Sequence, residues 1–263
     1  MPVRVWHAKP VRWPAPLTSL TAAVATILGG CTAPPTAETL VRKPFIVFLS
    51  GETEYDSART LPAFKAWLES RQAVTGVYLE RQGESIPGLD ALNRADLLVL
   101  FVRRMTPPAG QLVAIRGWLD AGKPLVALRT SSHAFENWKE FDRDVLGGNY
   151  SKHYGKQEGT TVRAVPAAAG HPILRGVAGE FPTASWLYKN TPLASTTTLL
   201  LEGSVPGRPP EPLAWTNAPP AGNRVFYTSL GHPQDFESEP FRRLLVNAIF
   251  WALGRETVDP DNR

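Results

Sequence analysis

Cysteine is nearly absent from this 263-residue chain, which contains only Cys31. A lone cysteine cannot form a disulfide within the chain, and none is left for thiol chemistry in the residues that follow. The phosphate-binding patterns G-x-x-x-x-G-K-S/T and G-x-G-x-x-G are missing, so nucleotide chemistry is not indicated. No stripe of lysine and arginine with interleaved aromatic residues occurs, which argues against a nucleic-acid partner.

Long hydrophobic runs are also missing. The formal net charge of +4 comes largely from residues 1–30, which have no acidic side chain and three basic ones: Arg4, Lys9 and Arg12. The uncharged apolar run that follows, residues 17–28, is too short to span a bilayer comfortably, but it is typical of an export signal. It ends in Leu28-Gly29-Gly30-Cys31, which resembles a bacterial lipobox.

This pattern predicts an exported protein. We expect residues 1–30 to be a lipoprotein-type signal peptide, with Cys31 lipidated and anchoring the chain to the bacterial envelope. The alternative is a plain secretory signal with an incidental cysteine. Residues 31–43 would be a flexible tether, residues 44–255 the folded domain and residues 256–263 a C-terminal tail.

Apolar runs alternate with helical patterns in the first half of the domain. The runs predict buried strands at residues 45–50, 74–79, 95–102 and 125–128. Helices are predicted at residues 57–71 and between Thr106 and Gly122, and a helix-like segment follows His133. This order favours an α/β fold with a parallel sheet.

The second half of the domain is less regular. Short strands are predicted at residues 160–165, 198–201 and 213–216, and a strong strand at residues 224–229. An amphipathic helix between Ser238 and Gly254 closes the domain.

Three histidines follow predicted strands or lie in a loop. The strand at residues 125–128 runs into Ser131-Ser132-His133, His153 lies in the glycine-rich loop 147–155, and His232 follows the last strand. Because ligands gather at the carboxyl ends of parallel strands, we expect these imidazoles to converge as acid/base groups or metal ligands. His171, in a His-Pro turn, is expected only to shape its loop.

Two further kinds of chemistry remain open. A divalent metal such as zinc could use the histidines, although no H-x-x-x-H or H-E-x-x-H spacing and no thiolate is present. A serine hydrolase would use Ser131 or Ser132 as nucleophile, His232 as base and Asp235 or Glu237 as the orienting acid. The G-x-S-x-G elbow of such enzymes is missing.

Aromatic residues near these polar positions suggest the ligand class. Sugar rings stack on aromatic side chains, and six lie in or near predicted loops: Trp138, Tyr150, Tyr154, Trp186, Tyr188 and Trp215. Several of them could instead pack the loops.

Five segments together resemble the ThuA-like family of trehalose-utilisation proteins. They are residues 124–135, the Leu146-Gly147-Gly148-Asn149 loop with His153, the turn from His171 to Gly176, residues 212–215 with 224–232, and residues 241–254. The resemblance implies a class I glutamine amidotransferase-like fold, a flavodoxin-like three-layer sandwich with a mostly parallel central sheet. It also implies a link to carbohydrate metabolism.

The amidotransferases themselves place a nucleophilic cysteine at the bend after a central strand and a His-x-Glu pair late in the chain. Here Ser131-Ser132 stand where we expect that bend, and the late segment reads His232-Pro233-Gln234. The chain is therefore not expected to be a glutamine amidotransferase.

The leading hypothesis is an enzyme that acts on a sugar or keto-sugar by acid/base or metal-assisted chemistry. The catalytic candidates are His133, His232 and Ser132; the substrate-binding candidates are Ser131, Asn149, His153, Trp186 and Asp235. The alternatives are a carbohydrate-binding lipoprotein without turnover and a structural protein of the envelope.

Overall fold

The structure is a computed structural model that describes residues 42–155 and 159–256. The predicted signal peptide, Cys31, most of the tether and most of the C-terminal tail lie outside the described residues, so these predictions stay predictions. Within the described part of the chain, no helix is both long and apolar enough to cross a membrane.

Fourteen strands and α-helices form the domain. Along the chain they are β1 (Phe45–Gly51), α1 (Ser57–Arg71), β2 (Thr75–Glu80), β3 (Leu97–Val102), α2 (Ala109–Asp120), β4 (Leu125–Leu128), β5 (Lys152–His153), β6 (Thr160–Ala164), β7 (Glu180–Thr183), β8 (Tyr188–Lys189), β9 (Thr197–Ser204), β10 (Glu211–Asn217), β11 (Val225–Thr228) and α3 (Glu239–Ala252).

Nine strands make one central sheet in the order β2-β1-β3-β4-β11-β10-β9-β6-β7. The first five are parallel, and their order is the 2-1-3-4-5 order of flavodoxin-like folds. The other four extend the sheet with antiparallel pairs. The remaining two strands, β5 and β8, form a separate antiparallel pair.

Helices cover both faces of the sheet, which gives three layers. Because successive strand residues point to opposite faces, Val99 and Phe101 of β3 join one core with α1 and α3, while Leu98 and Leu100 join a second core with α2. Both cores are apolar and buried. The predicted α/β fold and flavodoxin-like sandwich are confirmed.

One local prediction is wrong. The segment after His133 is not a helix, because its backbone pairs with the loop that follows β3. Met105 donates its N–H to the carbonyl of Ala134, and Glu136 donates to the carbonyl of Met105. A short 3-10 turn, Arg129–His133, comes before this pairing.

Candidate functional site

The carboxyl ends of the parallel strands meet at one edge of the sheet. The loop after β1 carries Tyr55, which is held by Glu52: the Glu52 carboxylate accepts backbone N–H bonds from Glu54, Tyr55 and Ser57 at 2.6, 2.7 and 2.8 Å. The turn after β4 carries His133, and the turn after β11 carries His232. This is the edge at which ligands bind in open α/β folds.

Seven aromatic rings form a continuous row along this edge, which we call the aromatic row. In order of contact they are His133, Tyr150, Tyr188, His153, Trp186, Tyr55 and His232, with successive ring centroids 4.6, 4.6, 6.4, 5.3, 6.0 and 6.3 Å apart. His133, His153, His232 and Trp186 therefore lie along one row, but other rings separate the three imidazoles within it, and of the three only His133 lines the cavity described below.

The imidazole of His133 is uncharged. Burial, together with the positive charges of Arg103, Arg104 and Arg129, lowers its pKa to about 3. Its Nδ1 lies 3.1 Å from the hydroxyl oxygen of Ser132. Ser132 therefore pairs with its own chain neighbour.

Hydrogen bonds indicate which nitrogen of each of the other two imidazoles carries the proton in its neutral form. His153 Nδ1 lies 2.6 Å from the carbonyl of Tyr154, which can only accept, so Nδ1 carries the proton and Nε2 keeps its lone pair. His232 Nδ1 accepts from the backbone N–H of Gln234 at 3.3 Å, which leaves the proton on Nε2. Burial also lowers the pKa of His232.

A polar cavity of about 480 Å³ opens beside the His133 end of the row. Ser132, His133 and Asn149, three of the predicted site residues, line it with Tyr150 and Asp142. Asn149 is exposed, and its amide donates to the carbonyl of Thr191 at 3.1 Å.

Asp142 is a functional candidate that the sequence reasoning missed. Its side chain is buried, and burial raises its pKa to about 7, although a hydrogen bond of 2.7 Å from the N–H of Tyr150 opposes the shift. Within the described residues, its Oδ1 has no hydrogen-bond partner. A Cβ at Gly148 would lie 2.5 Å from Oδ1, so a side chain there would crowd the Asp142 carboxylate. The glycine pair Gly147-Gly148 was therefore the feature of the sequence that could have indicated a closely packed group at this place.

Ser131 has a structural role, which corrects the expected substrate-binding one. Its hydroxyl donates to the carbonyl of Leu100 at 2.9 Å and accepts from the N–H of Val102 at 3.3 Å. The side chain is fully buried, so these bonds tie the turn after β4 to β3. The same burial argues against Ser131 as a nucleophile.

The Asp235 carboxylate is used to hold the turn that carries His232, which corrects its expected contact with substrate. Its carboxylate accepts from the hydroxyls of Thr183 and Ser185, both at 2.6 Å, and from the backbone N–H groups of Gly231 and His232 at 2.9 and 3.0 Å. Asp235 therefore positions His232. Because it bonds the His232 backbone instead of the ring, Asp235 does not serve as the orienting acid of a serine hydrolase.

The bend after β4 lies at Arg129, two residues before Ser131. Arg129 has a φ of 43°, in the left-handed region that a side chain rarely adopts. Its carbonyl accepts from the hydroxyl of Tyr227 at 2.7 Å, and its Nη1 donates to the carbonyl of Ser229 at 2.6 Å. Strained residues of this kind cluster at functional sites.

The remaining predictions concern metals, aromatic residues and His171. In the described ranges, no three His, Cys, Asp or Glu side chains come together to hold a metal ion, so the zinc hypothesis has no ligand set there. Trp138, Tyr154 and Trp215 are buried, and Trp215 donates to the carbonyl of Leu146 at 2.7 Å. His171 accepts from the N–H of Ile173 at 3.2 Å and shapes its turn, as expected.

The chain matches a known protein family over most of its length. The family model described as ThuA, trehalose utilisation, matches residues 45–252. The chain belongs to the ThuA family. The match covers the whole central sheet, the aromatic row and the cavity. No curated protein matches the chain significantly.

Two solved structures of ThuA-like proteins share the fold. One, from Bacteroides uniformis, has a TM-score of 0.66 at 17% identity and covers 83% of this chain and 95% of its own. The other, from Parabacteroides merdae, has a TM-score of 0.63 at 16% identity over 82% of this chain and 92% of its own. The mmIFT52 N-terminal domain also matches, with a TM-score of 0.56 at 14% identity over 82% and 99%. At these identities the likeness concerns the fold alone.

Proposed function

We propose that this ThuA-family protein binds a sugar or keto-sugar at the aromatic row and acts on it by acid/base chemistry. The observation that carries the proposal is that Asp142 and His133 line the same cavity. The pKa of Asp142 is raised to about 7, and His133 is uncharged because its pKa is lowered to about 3. Groups with such opposed shifts are typical of acid/base sites.

The aromatic row supports a carbohydrate ligand. Trp186 and Tyr150 are only half-buried, so parts of their rings remain open to a ligand. Sugars offer C–H faces to such rings and hydroxyl groups to polar neighbours. The hydroxyl of Ser132 and the amide of Asn149 lie on the cavity wall and can bind those hydroxyl groups.

The chemistry that fits is proton transfer. Near neutral pH, Asp142 is partly protonated, so its carboxyl group can either donate or accept a proton. The neutral imidazole of His133 carries one N–H and one lone pair, so it can accept a proton where Asp142 donates one, or donate where Asp142 accepts. Such a pair can move protons at a sugar hydroxyl or at the carbon beside a ketone.

A binding screen tests this proposal. The purified domain is examined by thermal shift with disaccharides and keto-sugars, because a ligand at 100 times its Kd stabilises by about 2.7 kcal/mol. His133→Ala should remove the shift caused by any ligand of the wild type. His171→Ala is the matched control, since His171 caps a turn outside the row.

Product analysis then separates catalysis from binding. Incubation of the stabilising sugar with wild-type protein, followed by mass spectrometry and NMR, should reveal an altered sugar, and Asp142→Asn should abolish the change. A thermal shift without any product would show that the protein binds the sugar but does not act on it. The absence of a thermal shift with every sugar would refute the carbohydrate proposal.

We also propose that the chain is exported and lipid-anchored at Cys31. The support is the basic N-terminus, the short apolar run and the lipobox-like ending. Labelling of growing cells with a fatty-acid analogue should mark the wild type and not Cys31→Ser. Equal labelling of both proteins, or of neither, would contradict the lipid anchor.

A further inference from the structure

Arg129 is a buried cation with unused donors. Its side chain is fully buried, and the guanidinium carbon lies 4.0 Å from the ring centroid of Tyr55 and 4.8 Å from that of Tyr188. Nη1 donates to Ser229. Nε and Nη2 have no hydrogen-bond partner in the part of the chain that the structure describes.

In the part of the chain that the structure describes, no carboxylate is in hydrogen-bond or ion-pair contact with this cation, although the charge of Asp235 helps to raise its pKa. The Asp235 carboxylate is already bonded by Thr183, Ser185 and two backbone N–H groups. Tyr188 is uncharged, because burial raises its pKa well above the ordinary value of 10. Burying a charge without a directly bonded counter-ion is costly, so a retained one is a candidate for binding a ligand.

The two nitrogens of Arg129 without a hydrogen-bond partner in the described residues lie on the same side of its guanidinium. Nε and Nη2 form one side of the planar guanidinium, and their two N–H bonds run parallel. Two parallel donors match the two oxygens of a carboxylate. We propose that Arg129 binds the carboxylate of an acidic sugar, so that the substrate class of the cleft is a sugar acid; this inference rests on the proposed carbohydrate function.

The number of donors and cations favours a carboxylate over a phosphate. A phosphate brings a third oxygen and a second charge, whereas Arg129 offers only one free side with two donors. The neighbouring arginines each have a carboxylate partner, since Arg103 pairs with Glu54 at 2.9 Å and Arg104 lies 4.0 Å from Glu136, although Nε of Arg103 has no hydrogen-bond partner in the described residues.

Binding requires a local movement that can be observed. Because Nε and Nη2 are closed off from solvent, a carboxylate reaches them by displacing a covering ring. Tyr55 contacts the ring of Trp186, with the centroids 6.0 Å apart. A sugar acid should therefore change the tryptophan fluorescence, and Trp186→Phe should remove that change.

The deciding measurement is a comparison of charged and uncharged ligands by calorimetry. D-Glucuronate, D-galacturonate and D-gluconate are titrated beside their uncharged amides and the parent sugars. At least one acid should bind roughly tenfold more tightly than its amide, as expected for hydrogen bonds to a charged group. Arg129→Gln should remove this preference, whereas Arg163→Gln, at an exposed ion pair with Glu180, should keep it.

The possible outcomes are distinct. Equal binding of acids, amides and parent sugars would overturn the carboxylate inference and leave the proposed function standing. Binding of none of them would overturn both. Inorganic phosphate that binds as tightly as the best acid, and is lost in Arg129→Gln, would overturn the choice of a carboxylate. If Arg129→Gln does not fold, the wild-type comparison of acid with amide decides alone.

Discussion

Replacing Asp142 by asparagine should change how the stability of the domain depends on pH. In the folded protein the pKa of this carboxyl is raised from 3.8 to about 7 because the group is buried. Between these two values the folded state holds a proton that the unfolded state has released. Wild-type stability therefore falls as the pH rises from about 4 to about 7, and the loss is complete above pH 7.

The size of the effect follows from the two pKa values. Each pH unit between 3.8 and about 7 corresponds to about 1.4 kcal/mol, so ionising the folded carboxyl costs about 4 kcal/mol at most. Asparagine does not ionise, and its oxygen can still accept the N–H of Tyr150. The variant should therefore be more stable than the wild type at pH 8 by up to that amount, or about 10 °C in Tm. Near pH 4 this advantage should vanish.

Urea unfolding at pH 5 and pH 8, read by circular dichroism, measures the difference between wild type and variant. Asp144→Asn is the matched control, because Asp144 lies in the same turn but is exposed. An Asp142→Asn effect that is the same at both pH values would refute the raised pKa and remove the main support for the acid/base proposal.

Two structural predictions concern the supports of the site. Gly148→Ala should destabilise the domain by about 1–3 kcal/mol, because the added Cβ would lie 2.5 Å from Oδ1 of Asp142. Gly117→Ala, in α2 with open space around the added Cβ, should stabilise the domain by about 0.5–1 kcal/mol. Thermal melts of both variants would test whether crowding at Gly148 causes the difference. Asp235→Ala should cost at least about 3 kcal/mol in urea unfolding, because four donors lose their acceptor. Glu237→Ala, exposed in the same turn, should change stability by less than about 0.5 kcal/mol, and similar losses for both would contradict the role of Asp235.

Buried elements were the easiest to predict. All six residues of β3 are buried, so its apolar run was distinctive, and the apolar stripe of α3 was equally clear. Strand β7 was missed because it is short, lies at the edge of the sheet and contains Pro182, and proline within a run argues against a central strand. The antiparallel half depends on long-range pairing, for which a single sequence carries little signal.

The site was predictable where it depends on strand ends. His133 and His232 follow β4 and β11, and they lie at the same edge of the sheet because those strands are parallel. Asp142 was not predictable in this way, because its raised pKa arises from burial by distant segments. The burial of Arg129 was likewise hidden, because no local pattern shows that a charged residue after an apolar strand will be buried without a directly bonded carboxylate.

The position of β11 determines the order in which the domain can be completed during synthesis. This strand follows the ten other described strands along the chain, yet it lies in the middle of the sheet, between β4 and β10. Until residues 225–228 leave the ribosome, the two halves of the sheet share no strand, and both keep an open edge that can pair with other chains. A nascent chain of this topology can therefore complete its central sheet only after β11 has been made.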